Sequence, residues 1–129
     1  MQKLSIKTHQ KREILDITDD VQAVLRTDKT GICNVTVLHT TAALTTADLD
    51  PGTDLDILDA FDGMIPKLHY RHPHDPGHVA DHILSALVGA SVTQPVERGQ
   101  LLLGAWQRII LLEFDGPRTR NIVVNFLPE

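Results

Sequence analysis

From Leu101 to Phe114 the chain carries apolar side chains at odd and even positions alike, with Leu101, Leu102 and Leu103 at one end and Ile109, Ile110, Leu111, Leu112 and Phe114 at the other. Successive side chains of a strand point to opposite faces, so a strand with one wet face alternates. A run that does not alternate reads as a central strand covered on both sides. The rest of the chain must supply that cover, and its 129 residues suffice for one domain spanning 1–129. A domain of this size buries roughly two thirds of its unfolded surface. Aromatic residues make up only 4% of the chain, so the core is expected to be aliphatic.

The remaining segments fit an α+β domain with a mostly antiparallel sheet and two or three helices. Leu4, Ile6 and Thr8 alternate with polar neighbours and Glu13 to Ile17 continues the pattern, which predicts two edge or half-buried strands joined through Lys11 and Arg12. Thr18 or Asp19 can cap a short helix over Asp20 to Arg26. Ile32 to His39 alternates strictly, with Cys33, Val35, Val37 and His39 on one face. After the small-residue segment Thr40 to Thr46, a helix is expected from about Asp54 to Met64 with Leu55, Leu58, Phe61 and Ile65 as its buried stripe. Pro66, Pro73 and Pro76 make the next segment a loop. A second amphipathic helix follows on Val79, Ile83, Ala86 and Leu87 and stops near Gly89. Strands are expected at Ser91 to Val96, along the whole of Leu101 to Phe114, and at Asn121 to Phe126.

Charge narrows the partners. A formal charge of −5 is the wrong sign for a protein that neutralises nucleic acid phosphates, so nucleic acid is not expected. No apolar stretch is long enough to span a bilayer, and Met1 to Gln10 lacks the apolar centre of a signal peptide, so a cytoplasmic protein without a membrane partner is expected. Cys33 is the single cysteine and reads as a small core residue.

Histidine carries the chemical signal. Five of the seven, His69, His72, His74, His78 and His82, fall between Lys67 and Ser85. His39 closes an apolar strand face, His82 lies on a helix and His72 in the loop before it, a set that leaves an open position on a bound metal. His78 and His82, four residues apart on one helix face, are a rival pair. Asp48, Asp50, Asp54, Asp56, Asp59 and Asp62 either bind Mg²⁺ with a diphosphate or solvate a helix. Glu113 shares a face with Gln107, Ile109 and Leu111, where an ionised carboxylate needs a partner. It reads equally as a general base and as half of a buried ion pair. Arg118 and Arg120 could grip a phosphate, although an exposed, solvated pair is the simpler reading.

Taken together, "VLHTTAALTTADLDP", "YRHPHDPGHVADHILSALVGASVTQPV" and "GQLLLGAWQRIILLEFDGPRTR" resemble the YjbQ-like family, often called secondary thiamine-phosphate synthases. The block from Ser91 to Arg118 carries most of the resemblance. It implies a compact α+β homotrimer with a divalent metal, zinc foremost, on His39, His72 and His82. It further implies a small-molecule substrate held by Thr40, Thr41 and Arg118, with Glu113, Gln107 and Trp106 as the catalytic candidates. The implied reaction joins a pyrimidine diphosphate to a thiazole phosphate with loss of pyrophosphate. A metal-assisted hydrolase of a small ester and a non-catalytic trimeric metal- or ligand-binding protein are the alternatives. The chain departs from the family pattern at Ala47, Leu84 and Ala105, where the pattern has glutamate, lysine and threonine, and the first two departures favour the non-catalytic alternative.

Overall fold

A computed structural model describes residues 1–129. The strands are β1 (Gln2–Lys7), β2 (Glu13–Asp16), β3 (Gly31–Val37), β4 (Ala42–Ala47), β5 (Ser91–Glu97), β6 (Gln100–Leu101), β7 (Arg108–Glu113) and β8 (Thr119–Pro128). The α-helices are α1 (Thr18–Val24), α2 (Thr53–Met64) and α3 (Val79–Val88), with one 3₁₀ turn at Pro76–His78. All pairings are antiparallel, in a five-stranded sheet of order β1-β8-β3-β5-β6 and a three-stranded sheet of order β2-β7-β4. The fold is therefore α+β, as the residue pattern predicts. No helix is long and apolar enough to cross a membrane.

The two sheets explain the run that lacks alternation. Ile109 and Leu111 of β7 pack with Cys33, Val35, Val37, Ile122 and Val124 of the five-stranded sheet. Ile110, Leu112 and Phe114, one residue out of phase, pack with Ala43 and Leu84 and with Ile57 and Phe61 of α2. The three-stranded sheet is thus a middle layer, covered by the larger sheet on one face and by α2 and α3 on the other.

Several expectations needed revision. The stretch Leu101 to Phe114 is two strands in different sheets, because a turn intervenes: Gln107 donates its backbone N–H to the Gly104 carbonyl and accepts the Gly104 N–H on its side chain. Most of Thr40 to Thr46 is β4, which runs on to Ala47 and whose small side chains gave little pattern. Helix α1 begins at Thr18, which does not cap it but bonds Asp16 and the Ile109 amide. Leu55 is exposed on α2. Helix α3 is rotated from its expected stripe and buries Asp81, Leu84 and Ser85 while Leu87 is exposed. The rotation follows from polar anchors the helical pattern does not show: Ser85 donates to the Ala42 carbonyl at 2.7 Å, and Asp81 receives Lys11 and Arg12.

Candidate functional site

Where β3, β7, β8 and α3 come together, a polar cleft of about 420 Å³ is lined by Leu38, His39, Thr40, Thr41, His78, His82, Asp115, Arg118 and Arg120. A second hollow of about 390 Å³ shares His39, Thr40 and His82. Of the sequence candidates, the cleft gathers His39, His82, Thr40, Thr41 and Arg118.

Its rear wall is a buried ion pair. Strand periodicity sends Glu113 into the space between the sheets, on the face of Ile109 and Leu111. Arg120 enters the same space from β8, on the face of Ile122 and Val124. The Arg120 guanidinium donates to both Glu113 carboxylate oxygens and to the Thr41 carbonyl and hydroxyl. Glu113 also accepts the Thr8 hydroxyl at 2.8 Å and the Asp115 amide at 2.9 Å. Burial alone pushes the Glu113 carboxyl up, but the bonds from Arg120, the Asp115 amide and Thr8 outweigh it and hold the acid below its ordinary range. Of the two readings open for Glu113, the geometry is that of the ion pair: its lone pairs are engaged, and it orients Arg120.

Arg120 is the charged residue the sequence reading misjudged. Expected in a solvated surface pair, it is 2% exposed. Yet Nη1, the one guanidinium nitrogen without a protein acceptor, is not sealed in, and Arg120 lines the cleft. The signal was present in its phase: two residues before Ile122 and four before Val124, it shares their inward face.

Arg118 stands nearer solvent. It donates through Nε to the Asp115 carbonyl and through Nη2 to the Asp115 carboxylate. Asp115 also receives Lys11 at 2.7 Å, and Lys11 bridges onward to Asp81, which takes Arg12 as well. Burial raises the Asp115 acid, but the bonds from Lys11 and Arg118 prevail and it stays charged. Gly116 lets these segments meet, since a Cβ there would stand 2.1 Å from the Gln10 carbonyl oxygen and 2.8 Å from the Glu113 side chain. Around the cleft Lys11, Arg12, Arg118 and Arg120 are matched by Asp62, Asp81, Glu113 and Asp115, so this corner concentrates paired charges rather than a surplus of one sign.

His39 is held by the backbone: its Nε2 accepts the Asn121 N–H at 2.8 Å. A neutral ring that accepts on one nitrogen carries its proton on the other, so Nδ1–H is a donor. Burial, then the positive charges of Arg120 and Arg118, push its pKa down against the opposing pull of Glu113, which keeps that tautomer neutral.

The metal implied by the resemblance can be tested against these donors. The in-plane lone pair of His39 is taken by Asn121, and His72 Nδ1 accepts the Asp75 N–H at 3.2 Å. His72 and His82 stack face to face, centroids 5.1 Å apart and 25° from parallel, so they do not converge by their lone pairs. No three His, Cys, Asp or Glu side chains stand close enough together to hold an ion. As arranged, these residues do not fit a three-histidine ion.

The remaining candidates lie elsewhere. Gln107 donates to the Thr46 hydroxyl at 3.0 Å and Trp106 is 74% exposed, both at the opposite end of β7 from Glu113. Ala105 adjoins them and Ala47, paired with Arg108, marks the same end. Leu84 is fully buried among Ala43, Ile110, Leu112 and Phe114. None of the three departures lines the cleft. His78, set aside in favour of His82, does line it.

The same architecture recurs in solved relatives. A conserved YjbQ/UPF0047-family protein from Clostridium acetobutylicum, described as an ortholog of Bacillus subtilis YugU, matches with a TM-score of 0.87 at 35% identity, covering 98% of this chain and 100% of that one. A YbjQ-like protein of unknown function from Sulfolobus solfataricus matches with a TM-score of 0.89 at 33% identity, over 99% of this chain and 96% of that one. In sequence, a UPF0047 protein of Archaeoglobus fulgidus is 40% identical over 126 residues, 97% of this chain and 99% of its own. Because a model of the family described as "UPF0047 protein YjbQ-like" also matches residues 2–129, the chain belongs to that family.

Proposed function

We propose that the chain is an enzyme of small phosphorylated molecules, a transferase that joins a pyrimidine diphosphate to a thiazole phosphate and releases pyrophosphate. The observation that carries this reading is the buried Arg120 guanidinium, fixed by Glu113 and Thr41, with Nη1 left over at a cleft that Arg118 also borders. Arginine presents its donors in a planar fork suited to phosphate oxygens.

In this reading Arg120 and Arg118 receive the diphosphate. Thr41 accepts from Arg120, which leaves its own hydroxyl hydrogen for the ligand, and the His39 Nδ1–H adds a neutral donor. As the carbon–oxygen bond to the diphosphate breaks, its electron pair leaves with pyrophosphate, and donors fixed beforehand meet the charge that gathers on those oxygens. The thiazole nitrogen attacks through its lone pair, so forming the carbon–nitrogen bond removes no proton and needs no free carboxylate base. Glu113 positions Arg120 throughout.

The test is a cell-free assay with both substrates, following thiamine phosphate, run with and without added divalent metal. Product formation that falls at least about tenfold in Arg118→Gln supports the reading. No product under either condition overturns the transferase, and hydrolysis of the diphosphate alone would move the assignment to a hydrolase. Elemental analysis of protein purified without an affinity tag, beside His82→Ala, tests the ion separately: about one metal per chain, lost in the variant, would show that His39 and His72 exchange their backbone bonds for it.

A further inference from the structure

His78 stands on the cleft at the start of α3, outside the set of histidines that the resemblance singles out. Its Nε2 lies 3.1 Å from an Asp75 carboxylate oxygen and its Nδ1 lies 3.7 Å from an Asp115 carboxylate oxygen. A ring with a carboxylate at each nitrogen is best matched as imidazolium, the one form that presents a proton on both sides. Neither acid depends on it. Asp115 is already bonded by Lys11 and Arg118, and the other oxygen of Asp75 caps the 3₁₀ turn by accepting the Gly77 amide at 2.8 Å. The Nδ1 side of His78, beyond hydrogen-bonding distance of Asp115, is therefore a donor that the fold does not consume. The other ionisable groups facing the cleft are His82 on its own helix, His39 after β3, and Arg118 and Arg120 at β8, with Lys11 and Asp81 behind Asp115.

We propose that His78 supplies a third cationic contact, beside Arg118 and Arg120, to a dianionic phosphate or sulfate group in the cleft. The inference rests on the anion-binding reading above and deepens it. With both ring nitrogens protonated, His78 adds one positive charge to the cleft, so the cleft takes a dianion more tightly in that form than with the neutral ring. Binding and protonation are then linked, and a bound dianion must raise the pH at which His78 loses its proton.

Sulfate is the probe, because it keeps both charges across the range tested. Calorimetric titration of the full chain at about pH 5.5 and about pH 8.5 is expected to show affinity about fivefold higher at the lower pH. His78→Gln should bind weakly at both, and His78→Lys, charged throughout, should bind tightly at both. In a proton NMR titration, sulfate should move the His78 midpoint upward, a shift that a purely structural residue would not give. If sulfate binds but His78→Gln keeps the full pH dependence, or the midpoint stays where it was, the role of His78 is overturned and the anion site stands. If sulfate binds at neither pH, the anion-binding reading fails and the proposal with it.

Discussion

The two ends of β7 are built on opposite principles. At the Glu113 end the strand finishes in a buried ion pair that spans both sheets, with a second layer of charge from Asp115, Lys11 and Asp81 around it. At the Arg108 end, roughly 17 Å away by the rise of a strand, the polar contacts lie nearer the surface. There Arg108 meets Asp16 and Asp19 at the surface, Gln107 touches Thr46, and Trp106 lies open. The resembling block runs through both ends, so similarity along the sequence does not say which end forms the cleft. Burial and hydrogen bonding separate them: donors left over beside a saturated, rigid core can serve a ligand, whereas exposed polar groups are already served by water.

The contrast can be broken most sharply at the ion pair. Glu113→Ala or Arg120→Ala, each leaving a buried charge alone, should destabilise the fold by about 3–5 kcal/mol in denaturant unfolding. Replacing both, as Glu113→Leu with Arg120→Met, should recover most of that loss, since two apolar groups leave nothing uncompensated. A single change that costs less than about 1 kcal/mol would show that the pair does not tie the sheets together. Leu84→Lys, which restores the family's usual residue, should cost about 3 kcal/mol and bring no gain in turnover, because the position faces the core. A catalytic gain would show that the helix turns its other face inward in solution.

Arg118→Gln tests function apart from stability. Sulfate affinity should fall about tenfold while the unfolding midpoint moves by no more than about 0.5 kcal/mol. His39 should register in the pH profile. Its pKa is lowered in the fold from the ordinary value of 6.5, so its contribution is complete above that value and is lost as pH falls below it, when the unfolded chain takes up the proton first. Unfolding across that window should be less pH-sensitive in His39→Gln than in the natural chain. The smallest change belongs to the far end: Trp106→Ala should alter stability by no more than about 0.5 kcal/mol and leave sulfate affinity where it was.

What could be read beforehand follows from period. Alternation placed Cys33, Val35 and Val37 on one buried face, and the lack of it marked β7 as covered on both sides; both expectations hold, while His39, expected to close the strand, lies two residues beyond the end of β3. The same reasoning applied to Arg120 would have buried it, but the break at Gly116 and Pro117 made the residues after it look like loop. Helix α3 misled for a different reason. Its inward face includes an aspartate, which hydropathy alone assigns to water, and only the pairing with Lys11 and Arg12, some seventy positions earlier, makes burial tolerable. The separation of Gln107 and Trp106 from Glu113 follows from strand rise alone, whereas the turn at Gly104, which moves the chain from one sheet to the other, left no mark in the apolar pattern.

The wall made by Glu113, Thr41 and Arg120 has a kinetic consequence. Its guanidinium loses its water and its rotational freedom when the sheets close, long before any ligand arrives, so an incoming anion meets a surface whose shape is already set. Association should therefore proceed in one step at a rate set by diffusion and screened by salt, with no slower phase in which the protein rearranges around what it has caught.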